Sequence, residues 1–203
     1  MVVVVTNRKL CPGDFLSHIH ELARAKPGLI ILREKDLPEA EYEILWKQCQ
    51  DICSNYDVPV AVNSRLETAR RQGASHLHLP LHLLRQYSGE LDGFSQVGAS
   101  VHSVEDALEA QAMGASYLVA GHIFPTSCKE GVPPRGLSFL KEVCQAVKIP
   151  VYAIGGINRN HVPEILAQGA GGFCIMSELM ACPDPYRRLC SYLSFDVQPS
   201  DIN

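Results

Sequence analysis

The sequence predicts an α/β fold of the (β/α)8 TIM-barrel class, formed as a compact single domain over residues 1–203. Eight short apolar segments alternate with amphipathic helical patterns from one end of the chain to the other. These segments are hydrophobic almost throughout, which is typical of parallel strands buried on both faces. An open doubly wound sheet is the alternative, but no Gly-x-Gly-x-x-Gly follows the first segment. We therefore expect a closed barrel near the lower size limit of its class, with residues 196–203 as an exposed tail.

Each predicted strand is a short run rich in Val, Ile, Leu and Ala. The first is a run of four valines that starts at Val2. The later runs are bounded by Gly, Pro, Asn or charged residues, as strand ends usually are. The predicted strands are residues 2–6, 29–33, 58–63, 75–79, 96–101, 117–120, 150–154 and 171–176.

The segments between these strands carry apolar side chains at three- and four-residue spacing. Pro38 suits the first turn of a helix whose apolar stripe begins at Tyr42. Ser103 and Asp106 form a capping-box pattern at the start of another helix, which Gly114 ends. Further helices are predicted at residues 137–147, 160–169 and 183–193.

The composition excludes several classes of protein. The formal net charge of −4 argues against nucleic acid and anionic membranes as partners. No apolar run approaches the about 18 residues of a transmembrane helix, and the apolar start lacks the basic segment of a signal peptide. The eight cysteines are scattered without a zinc-like Cys-x-x-Cys pair, which predicts reduced thiols. A cytoplasmic protein is therefore expected.

Charged and polar side chains follow the second and third predicted strands. Arg33 and Lys35 alternate with two acids, so both lie on one side of the chain, where we expect them to bind an anion. The alternative is that these four charges form a solvated loop. Asn63 ends the third strand. Because a (β/α)8 barrel builds its site from the carboxyl ends of its strands, all three residues are predicted to bind substrate.

Histidines and a serine mark the fourth and fifth predicted strands. His76 and His78 lie on the same strand face, where a His-x-His pair can bind a metal ion. The neighbouring strand ends lack the acids that would complete such a site, so no metal site is predicted. Instead we expect one imidazole, that of His78, in the substrate site and the other packed against the protein. Ser100 and His102 are predicted to bind substrate at the end of the fifth strand.

The sixth strand ends in Gly121-His122, and a long loop rich in Thr, Ser, Gly and Pro follows it. The unperturbed pKa of an imidazole lies near neutrality, so His122 is the predicted catalytic acid and base. A histidine that is merely bonded into the loop is the alternative. Lys129 lies in the same loop and is predicted to close it over the substrate.

Paired glycines after the seventh strand predict a phosphate site. Gly155 and Gly156 allow backbone amides to approach a ligand closely. Ser177, after the eighth strand, is expected to cap the next helix and to offer its hydroxyl and amide to the same phosphate. Barrel enzymes often bind phosphate in these two loops. Gly155, Gly156 and Ser177 are therefore the predicted phosphate-binding residues.

A series of short motifs resembles those of thiamine phosphate synthases and their close relatives, in the same order. The resemblance covers about residues 1–180 and implies a (β/α)8 barrel. Such a synthase joins a pyrimidine diphosphate to a thiazole phosphate, using a magnesium ion held by acidic residues. The motifs are Leu32-Arg-Glu-Lys35, Val62-Asn63, His78-Leu79, His102-Ser103, Ile123-Phe-Pro-Thr126, Lys129-Glu-Gly131 and Ala153-Ile-Gly-Gly-Ile157.

The chain departs from the synthase pattern at the residues that would hold magnesium. Ser64 replaces the acid that normally follows the Asn, and Pro80-Leu-His-Leu replaces a Gly-Gln-x-Asp-like segment. Ile31 replaces a Gln that usually lies two residues before the Arg. Without these carboxylates, a diphosphate leaving group loses the cation that would neutralise it. We therefore expect neither a metal nor another cofactor.

The sixth-strand loop departs from the synthase in another direction. It has Gly121-His122-Ile-Phe where the synthase typically has Gly-Pro-Ile-Phe, and here it resembles the thiazole tautomerase branch, whose histidine is the acid and base. The resulting expectation is a thiazole tautomerase of thiamine biosynthesis, an isomerase that aromatises a carboxylated thiazole phosphate tautomer by a proton shift. Its partner is then a small phosphorylated thiazole, and a homo-oligomer is allowed.

Three alternatives to the tautomerase stay open at this point. One is thiamine phosphate synthase itself, a transferase. Another is a non-catalytic homologue that binds a phosphorylated ligand and acts through a partner. The third is a metal hydrolase built on His76 and His78, which would require a bound metal.

Overall fold

The strands of the protein form a closed parallel barrel. The computed structural model describes residues 1–129 and 131–195, so the predicted tail lies outside the described residues. Neighbours along the chain pair in parallel, and the first strand pairs with the last. The predicted (β/α)8 barrel is therefore confirmed. Its strands are β1 (Val2–Val5), β2 (Leu29–Leu32), β3 (Val60–Asn63), β4 (His76–Pro80), β5 (Gln96–Val101), β6 (Tyr117–Gly121), β7 (Val151–Ile154) and β8 (Gly172–Ile175).

Helices cover the outside of the barrel. The apolar stripe predicted after Pro38 lies on the longest of them, where Tyr42, Trp46 and Cys49 are buried. Ser103 caps a helix as predicted, by accepting a hydrogen bond from the Asp106 backbone N–H. The helices are α1 (Phe15–Arg24), α2 (Glu39–Ser54), α3 (Leu66–Arg71), α4 (Leu81–Gln86), α5 (Val104–Ala112), α6 (Gly136–Ala146), α7 (Val162–Leu166), α8 (Ser177–Met180) and α9 (Pro185–Leu193).

Two predicted details of the helices are wrong. The helix expected over residues 160–169 is divided, because a 3₁₀ turn at Arg159–His161 precedes α7, which has a proline in its first turn. Ser177 does not cap α8 but is its first helical residue, and Met176 occupies the cap position without a side-chain hydrogen bond. The Ser177 hydroxyl therefore makes no capping hydrogen bond at the start of α8.

The hydrophobic core has two layers. The larger layer lies between the strands and the surrounding helices, and alternate strand residues such as Val2 and Val4 point into it. The smaller layer fills the inside of the barrel. Its buried members are Val3, Val5, Leu29, Ile31, Ala61, Tyr117, Val119, Tyr152 and Cys174. Because this interior layer is packed, the barrel opens only at its end, where the strands finish.

Two further findings concern the cysteines and the helices. All eight cysteines are free thiols, of which Cys49, Cys53 and Cys174 are buried and Cys128 is exposed. Burial raises the pKa of the Cys53 thiol to about 12, which keeps it protonated and unreactive. Of the helices in the described part of the chain, none is both long enough and apolar enough to cross a membrane.

Candidate active site

A cavity of about 290 Å³ opens at the carboxyl ends of the strands. It is lined from every strand end, as expected for a barrel whose loops share one face. The structure brings all of the predicted site residues together around it, although their individual roles remain predictions. These residues are Arg33, Lys35, Asn63, His78, Ser100, His102, His122, Lys129, Gly155, Gly156 and Ser177.

The four charges that follow β2 divide between two sides of the chain. Glu34 is 2% exposed and accepts hydrogen bonds from the Thr6 hydroxyl (2.6 Å) and the Arg8 backbone N–H (3.0 Å). Asp36 accepts from both terminal nitrogens of the Arg8 guanidinium (2.7 and 2.8 Å). The hydrogen bond from Arg8, followed by that from Lys9, holds the pKa of the Asp36 carboxyl well below its usual range. Both acids are thus paired away from the cavity. The two basic residues of this segment, Arg33 and Lys35, line the cavity.

One edge of the cavity is cationic. We call Arg33, Lys35 and Lys129 the cationic edge. The charge of Arg33, partial burial and the charge of Lys129, in that order, lower the pKa of Lys35. Within the described ranges, no carboxylate lies at ion-pair distance from any of the three side chains. Three neighbouring cations with no ion-paired carboxylate among the described residues are suited to binding an anion.

The end of β3 is held by a tyrosine from α2 that sequence reasoning did not select. Tyr42 donates its hydroxyl hydrogen to the Leu32 carbonyl (2.7 Å) and accepts from the Asn63 backbone N–H (3.1 Å). The Asn63 side-chain amide donates to Ser64 Oγ (2.8 Å), and Ser64 has a left-handed backbone with φ of 64°. The nearby hydroxyl and amide can bind polar ligand groups. A buried Tyr in an apolar stripe gives no sign in the sequence that it orders a strand end.

The two histidines of β4 have different surroundings. His78 is 4% exposed, and its Nε2 lies 2.9 Å from Ser100 Oγ. Burial lowers the pKa of His78 to about 4, so its imidazole is neutral at physiological pH. His76 is half-buried outside the cavity lining, and its Nδ1 lies 2.8 Å from Ser75 Oγ. His78 thus lines the cavity and His76 does not, while the substrate-binding role of His78 stays a prediction.

His102 and His122 are both attached to backbone carbonyl groups. His102 donates through Nδ1–H to the Gly121 carbonyl (2.7 Å). His122 is 7% exposed and donates through Nε2–H to the Val132 carbonyl (3.2 Å), while its own carbonyl accepts from the Arg135 N–H (2.9 Å). These bonds fasten the loop after β6 to the end of the barrel.

A second part of the cavity lining is built from backbone. We call Gly155, Gly156 and Ser177 the glycine edge. Both glycines have left-handed conformations, with φ of 98° and 66°. A Cβ on Gly155 would lie 2.2 Å from the His122 Cβ, so glycine is required for close packing against the sixth loop. The described residues provide no acceptor for the N–H groups of Gly156 and Ser177, which leaves them available to a bound anion.

The residues that line this cavity do not fit the magnesium ion of thiamine phosphate synthases, which acidic residues hold. The positions of the two expected acids are occupied by Ser64 and by the start of α4 after Pro80. Glu178 lines the cavity, but it accepts hydrogen bonds from Arg188 (3.0 Å) and from the Tyr192 hydroxyl. Across residues 1–129 and 131–195, no group of three or more His, Cys, Asp or Glu is placed to hold a metal ion.

Fold and cavity together define a class of protein: a (β/α)8 barrel whose one cavity is lined both by cationic side chains and by glycine backbone. The model of a protein family described as "Thiamine monophosphate synthase" matches residues 2–179, nearly the whole chain. The chain belongs to the thiamine monophosphate synthase family.

Similar proteins support the same assignment. The chain is 35% identical over 187 residues to "Thiamine-phosphate synthase 2" of Streptococcus pneumoniae serotype 4, covering 89% of this chain and 88% of that protein. It is 35% identical over 189 residues to the thiamine-phosphate synthase of Pyrococcus horikoshii, covering 91% and 88%. The solved structure of thiamine phosphate pyrophosphorylase from Pyrococcus furiosus superposes with a TM-score of 0.85 at 30% identity, covering 95% and 93%.

These relatives overturn the expectation of a thiazole tautomerase. They are named thiamine-phosphate synthases, which were the alternative in the sequence analysis, and none of these names supports an isomerase. The attachment of His122 to the Val132 carbonyl gives a physical reason. The histidine that suggested a tautomerase fastens a loop, which was the second interpretation of the same residue. The isomerase prediction is wrong, and the transferase alternative is better supported.

Proposed function

We propose that the protein is a transferase that joins a pyrimidine diphosphate to a thiazole phosphate, the reaction of a thiamine phosphate synthase. The observation that supports this most strongly is that two anion-binding edges face one cavity. The cationic edge suits the diphosphate, and the glycine edge, with its free backbone amides, suits a single phosphate. A cavity of this kind fits a reaction between two phosphorylated substrates, and a small phosphorylated thiazole is the proposed partner.

The proposed step needs no proton transfer. The ring nitrogen of the thiazole supplies an electron pair to the carbon that bears the diphosphate, and a C–N bond forms. The bond between that carbon and the diphosphate oxygen breaks, and its electron pair leaves with the diphosphate. Arg33, Lys35 and Lys129 face the negative charge that grows on the leaving group, so they stabilise the transition state more than the bound substrate. His122 contributes by holding the loop that carries Lys129.

A non-catalytic homologue is a second candidate, favoured by one specific observation. Ser64 and the segment Pro80-Leu-His-Leu stand where the resemblance implies magnesium-binding acids. Loss of those acids with retention of both anion-binding edges is also the pattern of a protein that binds the ligand without turning it over. The cytoplasmic location inferred from the sequence stays a prediction for either candidate.

One experiment separates the candidates. The protein is incubated with both substrates, once with magnesium and once with EDTA, and thiamine phosphate is measured by mass spectrometry. We expect product in both conditions, because side-chain cations offset the leaving-group charge. The unfolding temperature with thiazole phosphate alone is measured in parallel. Stabilisation without product excludes the transferase and supports the non-catalytic homologue, whereas absence of both excludes a thiazole phosphate site.

A further inference from the structure

Three polar side chains form a chain that descends from the cavity into the barrel interior. Ser100 lines the cavity, and its Oγ lies 2.9 Å from His78 Nε2. The other ring nitrogen of His78, Nδ1, lies 3.2 Å from the hydroxyl of Tyr117. The two rings are stacked with centroids 5.6 Å apart, and Tyr117 is 2% exposed. Apart from Tyr152 and Cys174, the other buried members of the interior layer are aliphatic.

A glycine makes this arrangement possible. Gly98 on β5 lies between the other two strands, paired with His78 on β4 and with Tyr117 on β6. A Cβ on Gly98 would lie 2.0 Å from the Tyr117 Cζ and 2.4 Å from its hydroxyl oxygen. The tyrosine ring therefore extends across β5 through the space that a side chain would occupy. The absence of a side chain at Gly98 brings the hydroxyl within reach of His78.

The environment sets the direction of the hydrogen bonds. In the described structure, His78 Nδ1 is the acceptor available to the Tyr117 O–H. If Nδ1 carried the imidazole proton instead, the tyrosine hydrogen would be buried without an acceptor, which is unfavourable. The imidazole is neutral because burial lowers the pKa of His78 to about 4, so only one of its nitrogens is protonated. That nitrogen is Nε2, which then donates to Ser100 Oγ.

We infer that Tyr117 is a positioning residue that, through His78, directs the Ser100 O–H into the cavity as a hydrogen-bond donor. Because the serine oxygen accepts from the imidazole, its own hydrogen is left for a ligand. A ligand group that accepts this hydrogen bond, such as a heteroaromatic ring nitrogen, suits the position. Resting on the proposed function, this acceptor is a ring nitrogen of the pyrimidine substrate. Ser100 thereby helps to select the pyrimidine.

The tautomer of His78 tests this inference without any substrate. Long-range ¹H–¹⁵N spectra of the ligand-free protein distinguish a protonated Nε2 from a protonated Nδ1, and the His78 signals are assigned by their loss in His78→Gln. We expect Nε2–H in the wild-type protein and a mixture of tautomers in Tyr117→Phe. Tyr152→Phe is the matched control, since it removes a hydroxyl from the same interior that bonds to Met1 Sδ. A wild-type spectrum with Nδ1–H overturns the inference, and it does so even if Tyr117→Phe fails to fold.

Kinetics then test the consequence for the ligand. In the synthase assay, Tyr117→Phe and Ser100→Ala should each raise the KM for the pyrimidine diphosphate about tenfold, the effect of one neutral hydrogen bond. Both should leave the KM for thiazole phosphate unchanged. The double variant should be no worse than Ser100→Ala alone, because both changes remove the same bond. Equal changes in both KM values, or additive effects, contradict the inference. A protein without synthase activity still gives the spectroscopic result, so the two proposals fail separately.

Discussion

The two edges of the cavity bind anions by different physical means. The cationic edge uses side-chain charge, and Arg33 and Lys129 act on Lys35 strongly enough to lower its pKa. The glycine edge uses backbone N–H groups, which bear only partial charge and depend on the left-handed conformations of Gly155 and Gly156. Substitution at the first edge should therefore change affinity with little change in structure. Substitution at the second should change both.

The difference has a further consequence for folding. Crowded cations destabilise the empty folded protein, because each disfavours the charge of the others. The glycine edge has no such charge repulsion, because its N–H groups are neutral. Glycine also adopts the left-handed backbone conformation without strain. The first edge therefore exchanges stability for binding, and the second depends on close packing against the sixth loop.

The largest expected effect comes from Gly156→Ala. A Cβ at this position would lie 2.3 Å from the Pro125 carbonyl oxygen and 2.7 Å from that of Phe124, and backbone atoms cannot move aside cheaply. The left-handed φ alone costs about 1–2 kcal/mol for a non-glycine residue. We expect a larger loss of stability than this, and a loss of thiazole phosphate affinity of about a hundredfold, measured by calorimetry.

Gly114→Ala is the matched control for that substitution. Gly114 also has a left-handed backbone, with φ of 89°, but no atom lies within 4 Å of where its Cβ would be. Gly114→Ala should lose only the stability that the left-handed φ costs a non-glycine residue, about 1–2 kcal/mol. It should keep full affinity for thiazole phosphate. Equal losses of stability in the two variants would show that close packing at the glycine edge is unimportant.

A smaller effect is expected from Lys35→Met. Removing one cation of three should weaken the binding of inorganic pyrophosphate about tenfold in titration calorimetry, with EDTA present. Lys47→Met, an exposed lysine on α2, is the control and should bind normally. An unchanged affinity in Lys35→Met, or a loss seen only when magnesium is added, would contradict the role of the cationic edge.

The same variant should become slightly more stable. A lysine whose folded-state pKa is lowered binds its proton less readily in the folded protein than in the unfolded chain. The resulting penalty is fully present below the folded pKa and disappears as pH rises from that value towards the ordinary lysine pKa of 10.5. At neutral pH, Lys35→Met should therefore raise the unfolding temperature by a small amount. The advantage over the wild-type protein should shrink at alkaline pH.

The fold was predictable because the strands are buried on both faces. Six of the predicted runs contain the observed strands in full, whereas β4 (His76–Pro80) and β6 (Tyr117–Gly121) each extend one residue beyond the predicted run. The boundary of α7 was not predictable from periodicity, since the helical spacing of Val162, Ile165 and Leu166 does not reveal the 3₁₀ turn at Arg159–His161 that precedes them. Apolar spacing identifies the buried face of a segment, whereas local hydrogen bonds decide where the helix begins.

The positions of the site residues were predictable, but their partners were not. Alternation after β2 places Arg33 and Lys35 on the cavity side, and this follows from sequence spacing alone. That Arg8 pairs with Asp36, 28 residues away, depends on β1 and β2 being neighbours. His122 shows the same limit: the sequence places it at the end of β6, but the return of the loop brings Val132 to its ring. The expectation of a tautomerase rested on His122 without knowledge of its bond to the Val132 carbonyl.

The smallest expected effect concerns the contact that joins the glycine edge to the sixth loop. The His161 ring stacks on Phe124, with centroids 3.9 Å apart and planes 15° apart, and its Nδ1 lies 3.1 Å from the Gly156 carbonyl oxygen. An aromatic pair contributes about 0.5–1.5 kcal/mol beyond burial. His161→Ala should therefore weaken thiazole phosphate binding by about two- to tenfold, because the glycine edge is less firmly held.

Two further variants decide which part of this contact matters. His161→Phe keeps the stack and loses the ring nitrogen, so it should bind almost as well as the wild-type protein if stacking holds the edge. His20→Ala is the control, since His20 makes an edge-on contact with Tyr56 away from the cavity. If His161→Phe binds as weakly as His161→Ala, the polar contact to Gly156 holds the edge instead. If both His161 variants bind normally, the glycine edge is held by the packing of its own backbone, and only the Gly156 substitution can loosen it.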